Sequence, residues 1–202
     1  MKYLPLMESG DRPVNPYRVY AEMQTVLDPL NSFVTHESGN TRDQLSAVYR
    51  SEAPHGFLGW GNVSTLGYGL GAAMGAWHAF KERQIVAVTG DAGVGYQMGN
   101  WETLTRYGMG VTVLHVNNDG FGGYGPGFWG TGHSPYTCDL TGSEAQSTAR
   151  VAEALGIASE RVYDPDEVAP ALNRALKANK GGKPYLLEVI CCKHPVYPAW
   201  VS

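Results

Sequence analysis

Short apolar runs alternate with helically spaced segments along most of this chain. SFVTH (Ser32–His36), IVAVT (Ile85–Thr89), VTVLHV (Val111–Val116) and YLLEVI (Tyr185–Ile190) are five or six residues long. They are β-branched or aliphatic almost throughout, the pattern of strands buried on both faces. Between them the apolar positions follow the helical period. Val19, Met23, Val26 and Leu27 recur this way in Tyr17–Leu27, which Asn15-Pro16 opens and Asp28-Pro29 ends. Further helices are expected over Arg42–Tyr49, Val63–Phe80 and Ser143–Leu155, and from Asp164-Pro165-Asp166-Glu167 to about Ala178. Arg161–Tyr163 reads as a short strand, and Glu52–Asn62 and Phe121–Thr137 as loops. Gly67, Gly71 and Gly75 repeat every four residues, which predicts a buried helix with a glycine face open to close backbone approach. Strand and helix in alternation imply an α/β fold, a parallel sheet flanked by helices on both faces. The organisation expected is a leader over residues 1–13, one domain over 14–190 and a proline-rich tail over 191–202.

Composition narrows the function classes. The formal net charge is −4, and no basic run or stripe is present, which argues against nucleic acid or an anionic membrane as a partner. No apolar run approaches the roughly 18 residues of a spanning helix, and MKYLPLMESGDRP lacks the apolar region of a signal peptide. Three cysteines, two of them adjacent (Cys191 and Cys192), show no CxxC pairing. A reduced, cytoplasmic protein without a zinc or iron–sulfur site is expected. Glycine is dense between Gly56 and Gly132, as where backbone lies close to a ligand or to itself.

The candidate chemistry gathers between Gly90 and Gly123. The strand ending at Thr89 delivers Asp91; a helix and a strand later, Asn117-Asn118 and Asp119-Gly120 follow. That separation matches one crossover between neighbouring parallel strands. Asp91 and Asn118 therefore reach the same sheet edge, the edge at which open α/β sheets bind ligands. Their oxygens, with the Gly120 carbonyl, suit Mg²⁺. Ala92 and Gly93 leave backbone N–H groups free to meet a phosphate. Taken singly these residues are also an Asp cap and an Asn-rich turn; their joint spacing favours a magnesium–diphosphate site. A dinucleotide fingerprint, Gly67-x-Gly69-x-x-Ala72, lacks the preceding strand it requires.

Gly90-Asp91-Ala92 followed by Asn117-Asn118 resembles the GDG…NN signature of thiamine diphosphate-dependent enzymes. GNVSTLGYGLGAAMGA (Gly61–Ala76) is similar to a second segment of the same family, GLGTMGYGLPAAIGA. The resemblance covers roughly residues 14–190, the family's pyrophosphate-binding domain. It implies thiamine diphosphate and Mg²⁺ as cofactors, with Asp91, Asn118 and Gly120 as the metal ligands. It places Leu66 beneath the cofactor, where many relatives carry Met, and the Ser64 carbonyl toward the 4′-amino group. Asn40 and Thr41 match the loop that meets the diphosphate from the other side. Ala92, Gly93, Phe121 and Gly122 complete the expected cofactor contacts. Trp101-Glu102-Thr103 and Arg106-Tyr107 resemble the corresponding helix of oxalyl-CoA decarboxylase and 2-hydroxyacyl-CoA lyase; acetolactate synthase-like proteins share a similar helix, so both branches stay open.

The family's chemistry uses a Glu at N1′ of the aminopyrimidine, carried on a separate pyrimidine-binding domain. Glu37, Glu52 and Glu102 match it by residue type alone. The resemblance therefore implies a lyase half-site that makes or breaks a C–C bond beside a carbonyl. It would be a separately encoded subunit or an excised domain, completed by a pyrimidine-domain partner in a heterodimer or heterotetramer and acting on a small molecule that could be a CoA thioester. The alternative is a non-catalytic diphosphate-binding regulatory module. His36, at a strand end, and His133, in the loop after Asn118, are the histidines placed to face a substrate, whereas His115, within a strand, reads as packed.

Overall fold

A computed structural model of the chain describes residues 2–121, 139–140 and 142–193. Six strands form one sheet: β1 (Ser32–His36), β2 (Phe57–Leu58), β3 (Gln84–Thr89), β4 (Val111–Asn117), β5 (Ala158–Val162) and β6 (Tyr185–Ile190). Their order is β2-β1-β3-β4-β6-β5, and every pairing is parallel. The expected fold class is the observed one.

Nine helices belong to the description: α1 (Leu4–Met7), α2 (Pro16–Val26), α3 (Asn40–Asp43), α4 (Leu45–Val48), α5 (Tyr68–Ala79), α6 (Asp91–Gln97), α7 (Trp101–Arg106), α8 (Thr148–Ala154) and α9 (Val168–Lys180). They cover both faces of the sheet. On one face α2, α4 and α9 bring Tyr20, Met23, Leu45 and Leu172 against Val34, Val86, Val88, Leu114 and Leu187. On the other, α5, α7 and α8 bring Leu70, Trp101, Leu104 and Ala152 against Phe33, Ile85, Ala87, Val113 and Leu186. Side chains alternate between faces along a strand. With both faces covered, alternation in space becomes an unbroken apolar run in sequence, which is why these strands were easy to read.

Several boundaries differ from expectation, each for a local reason. The helix expected from Val63 begins at Tyr68, because Gly67 takes a left-handed φ of 80° and turns the chain into it. Ser64 and Leu66 thus lie in the turn before α5. The glycine face is also corrected. Gly71 and Gly75 are exposed, and a Cβ on either would meet nothing within 4 Å. The buried residues of α5 are Gly69, Leu70, Ala73 and Ala76. Close approach occurs at Gly69, where a Cβ would lie 3.4 Å from the Val88 carbonyl oxygen. The helix expected from Ser143 starts at Thr148, where the Ser147 side chain caps the Arg150 amide. The Arg42–Tyr49 helix is broken into α3 and α4. β2 has only two residues, too short for a periodicity, and exists through its register with Val34 and Thr35.

Described residues before β1 and after β6 are held against the sheet. Tyr3 stacks on Tyr17 with ring centroids 5.1 Å apart, and Val14 bridges to Cys191 in parallel. The Cys191 amide donates to the Asn117 carbonyl at 2.6 Å, so the first residue of the expected tail reaches the end of β4.

Gly110, at the entry to β4, sits against the last turn of α9: a Cβ there would overlap the Asn179 carbonyl oxygen. Gly110→Ala is expected to destabilise the fold by about 1–3 kcal/mol, the usual cost of overpacking a site that backbone walls in. Urea unfolding monitored by circular dichroism measures it; a midpoint equal to that of wild type would show that α9 yields there.

Candidate functional site

Chain direction reverses across the sheet between β1 and β3. From β1 the chain passes to β2 on one side and to β3 on the other. The crevice beyond the C-terminal ends of such a strand pair is where open α/β sheets bind ligands. β1 delivers Glu37 there, β3 delivers Gly90 and Asp91, and neighbouring β4 delivers Asn117, Asn118 and Gly120.

The crossover brings the three expected metal ligands together. Asp91 Oδ2 accepts from the Asn118 amide at 3.2 Å and the Gly120 amide at 3.0 Å. Asp91 Oδ1 accepts from His115 Nε2 at 2.8 Å, and His115 Nδ1 pairs with Thr148 Oγ1 at 2.8 Å. The packed His115 thus has a specific place: both ring nitrogens are engaged, and it fixes one Asp91 oxygen from below. A carboxylate offers about four lone-pair positions. These bonds use three and leave one directed elsewhere, so Asp91 retains capacity for a cation. Asn118 is 3 % exposed and donates from Nδ2 to the Lys193 carbonyl at 3.1 Å, which orients its carboxamide. The donor set is all oxygen, as Mg²⁺ requires. Among the described residues no three His, Cys, Asp or Glu side chains cluster as a metal site of another kind.

A second buried network supports this edge. Glu188 is fully buried, and Arg161 grips it with Nη2 at 2.8 Å and Nε at 2.9 Å. Asn117 Nδ2 and the Ala149 amide also donate to it, at 2.8 and 3.1 Å. Burial pushes the Glu188 pKa up, but the Arg161 fork, the nearby His115, the Ala149 amide and Asn117 outweigh it and hold it at about 2. Arg161 also donates to the Ser143 carbonyl at 2.7 Å, and the Ser143 amide donates to Asp119 Oδ1 at 2.7 Å. Asp119 holds a left-handed φ of 58°. The turn carrying Asn118 and Gly120 is therefore anchored through Asp119, Ser143 and Arg161 to the middle of β6.

The other expected site residues lie around the crevice. Ala92 and Gly93 form the first turn of α6. Thr41 is buried, and its methyl lies 3.7 Å from where a Cβ on Gly90 would stand. Asn40 begins α3. Ser64 and Ser38 share a short hydroxyl hydrogen bond, and the Ser38 amide donates to the Thr65 carbonyl at 3.3 Å. Leu66 is half-buried beside them. Phe121 is half-buried at the end of the described stretch; Gly122 and His133 lie outside the described residues. His36 does not open toward the crevice. Its ring packs against Phe57 at a centroid distance of 5.0 Å, and its Nδ1 lies 3.1 Å from the Glu37 carbonyl. A Cβ on Gly59 would overlap the ring. Burial lowers its pKa, which favours the neutral form.

The three carboxylates of the right type part company. Glu52 is exposed. Glu102 is exposed and pairs with Arg106 at 2.9 Å, one helical turn away. Glu37 is 1 % exposed and accepts from Thr89 Oγ1 and the Gly90 amide at 2.7 Å, and from the Gly67 amide at 2.5 Å. Burial raises its pKa against those three bonds. In sequence Glu37 matches by type alone; what singles it out is the convergence of two glycine amides from distant turns.

The chain is a parallel α/β domain with an Asp–Asn–Gly oxygen set beside its reversal point. The chain belongs to the family described as thiamine pyrophosphate enzyme, C-terminal TPP binding domain, whose model matches residues 37–189. Among its relatives are a probable acetolactate synthase large subunit of Methanocaldococcus jannaschii, 25 % identical over 93 % of this chain and 32 % of that protein, and a probable acetolactate synthase of Mycobacterium bovis, 31 % identical over 92 % and 33 %. Human 2-hydroxyacyl-CoA lyase 1 is 30 % identical over 88 % of this chain and 32 % of that protein. The chain therefore spans about a third of the length of the relatives it matches. Among the described residues no helix is long and apolar enough to cross a membrane.

Proposed function

We propose that this chain is the thiamine diphosphate- and Mg²⁺-binding subunit of a heteromeric, cytoplasmic lyase acting on C–C bonds beside a carbonyl. Its substrate would be a small 2-oxo acid, as in the acetolactate synthase-like branch, or a CoA thioester, as in the 2-hydroxyacyl-CoA lyase branch. The observation that carries this reading is the convergence of Asp91, Asn118 and Gly120, with Asp91 bonded to both backbone amides of the turn. Asp91, the Asn118 carboxamide and the Gly120 carbonyl would hold the metal. Asn40, Thr41, Ala92, Gly93, Phe121 and Gly122 would surround the diphosphate. Leu66 would support the thiazolium side, and the Ser64 carbonyl would accept from the aminopyrimidine. The cofactor, when bound, supplies the electron sink for breaking or making the C–C bond; this chain supplies its position, its charge neutralisation and a wall against water.

The engagement of Glu37 by three donors and of Glu102 by Arg106 supports a reading in which a pyrimidine-domain partner supplies the N1′ carboxylate. The test is reconstitution. The chain alone, with Mg²⁺ and thiamine diphosphate, is expected to turn over neither 2-oxo acids nor 2-hydroxyacyl-CoA thioesters, and addition of a pyrimidine-domain subunit to restore turnover. Robust turnover by the chain alone would refute the half-site. Cofactor binding with no turnover beside any such partner would favour the regulatory module instead.

A further inference from the structure

Glu37 is a buried carboxylate whose acceptor capacity is divided between two parts of the crevice. Its Oε1 accepts from Thr89 Oγ1 and the Gly90 amide, both at 2.7 Å, at the end of β3 where Asp91 begins. Its Oε2 accepts from the Gly67 amide at 2.5 Å, in the turn that carries Ser64 and Leu66. These turns are far apart in sequence, and no other carboxylate among the hydrogen bonds described above joins them. The fit is tight, because a Cβ on Gly93 would overlap the Glu37 carboxylate. A charge so deeply buried is kept only when hydrogen bonds compensate it.

We propose that Glu37 is a positioning residue that staples the Leu66 turn to the Asp91 turn and so sets the spacing between the thiamine-facing and diphosphate-facing walls of the site. The inference rests on the cofactor reading above. It makes an atom-specific prediction, because the two oxygens serve different walls. In Glu37→Gln the carbonyl can stay with Thr89 and Gly90, keeping two bonds. The amide NH₂ then meets the Gly67 N–H, donor against donor. The flipped rotamer keeps the Gly67 bond and can donate its NH₂ to Thr89 Oγ1, and it then leaves the Gly90 amide unpaired. In either rotamer Glu37→Gln unpairs one of the two glycine amides and so breaks the link between the walls.

The full chain is titrated calorimetrically with Mg²⁺ plus thiamine diphosphate and, separately, with Mg²⁺ plus inorganic pyrophosphate. Pyrophosphate needs only the Asp91 wall, whereas the complete cofactor needs both. Glu37→Gln is expected to weaken thiamine diphosphate binding about tenfold, the equivalent of one hydrogen bond to a charged group, and to leave pyrophosphate binding within about twofold where the freed amide is Gly67. Amide exchange should speed up at one of Gly67 and Gly90 and not at the other. Thiamine diphosphate binding equal to that of wild type, or exchange unchanged at both amides, overturns the staple while leaving the cofactor reading intact. A wild-type chain that binds neither probe overturns the cofactor reading and the staple with it. Should Glu37→Gln melt too low to titrate, Gly93→Ala approaches the contact from the other side. Displacing the carboxylate from both walls, it should speed exchange at Gly67 and Gly90 together; unchanged exchange at both amides would overturn the staple.

Discussion

Asp91→Asn is expected to reduce Mg²⁺-dependent thiamine diphosphate binding by about 100-fold or more while leaving the melting temperature within a few degrees of wild type. Loss of even an outer partner of a metal ligand costs roughly 10- to 100-fold in affinity, and Asp91 brings the formal charge to the proposed ligand set. The isosteric Asn is the informative variant. It keeps an oxygen toward the Asn118 and Gly120 amides, so the turn retains its anchors. Asp91→Ala removes those acceptors as well and leaves His115 Nε2 without its partner at 2.8 Å. It is expected to lose both binding and stability, because buried donors left unpaired cost about 1–3 kcal/mol each. Calorimetric titration beside a thermal melt separates the two effects. Unaltered affinity in Asp91→Asn, with wild type binding, would remove Asp91 from the ligand set.

The second large effect lies in the network that anchors the turn after β4. Arg161→Met should destabilise the chain by about 3–5 kcal/mol, the cost of leaving a buried charge without its partner. Arg161 supplies two of the hydrogen bonds to the fully buried Glu188 and also holds the carbonyls of Ser143 and Gln146. The loss should depend on pH in a defined direction. The Glu188 pKa in the fold, about 2, lies below its ordinary 4.5. A carboxylate depressed by folding stabilises above the unfolded-state value, and that contribution drains away as pH falls toward the folded-state value. The advantage of wild type over Arg161→Met should therefore shrink as pH falls from about 4.5 toward about 2, where Glu188 becomes protonated in the wild-type fold as well. Urea unfolding at a series of pH values measures it. A difference that stayed constant down to pH 2 would show that Glu188 does not titrate in that window. Arg161→Met with Glu188→Leu should recover much of the loss, since an apolar pair of similar volume can replace a buried ion pair.

These effects show how far sequence and structure each reach. Strands buried on both faces carry their signature in their own residues, so β1, β3, β4 and β6 were legible to within a residue or so. The Asp91–Asn118 juxtaposition was legible too, because one parallel crossover has a narrow range of lengths. β2 was not legible: two residues hold no period, and only pairing with β1 makes them a strand. The glycine repeat in α5 misled, because spacing records a shared face without saying which side of the helix meets the sheet. The sheet contacts Gly69 and Ala73, and Gly71 and Gly75 turn outward.

Sequence alone determined the fold class, the edge at which the site forms and the oxygen donors that meet there, because each follows from local pattern or from one short connection. Tertiary structure alone decided what surrounds those donors. His115 became a support for Asp91, Arg161 and Glu188 an anchor for the turn after β4, and Glu37 the link between two walls. Each depends on groups from separate turns or strands meeting in a space closed to water. There an unpaired charge or amide is costly, and only the packed sheet determines which partner is within reach.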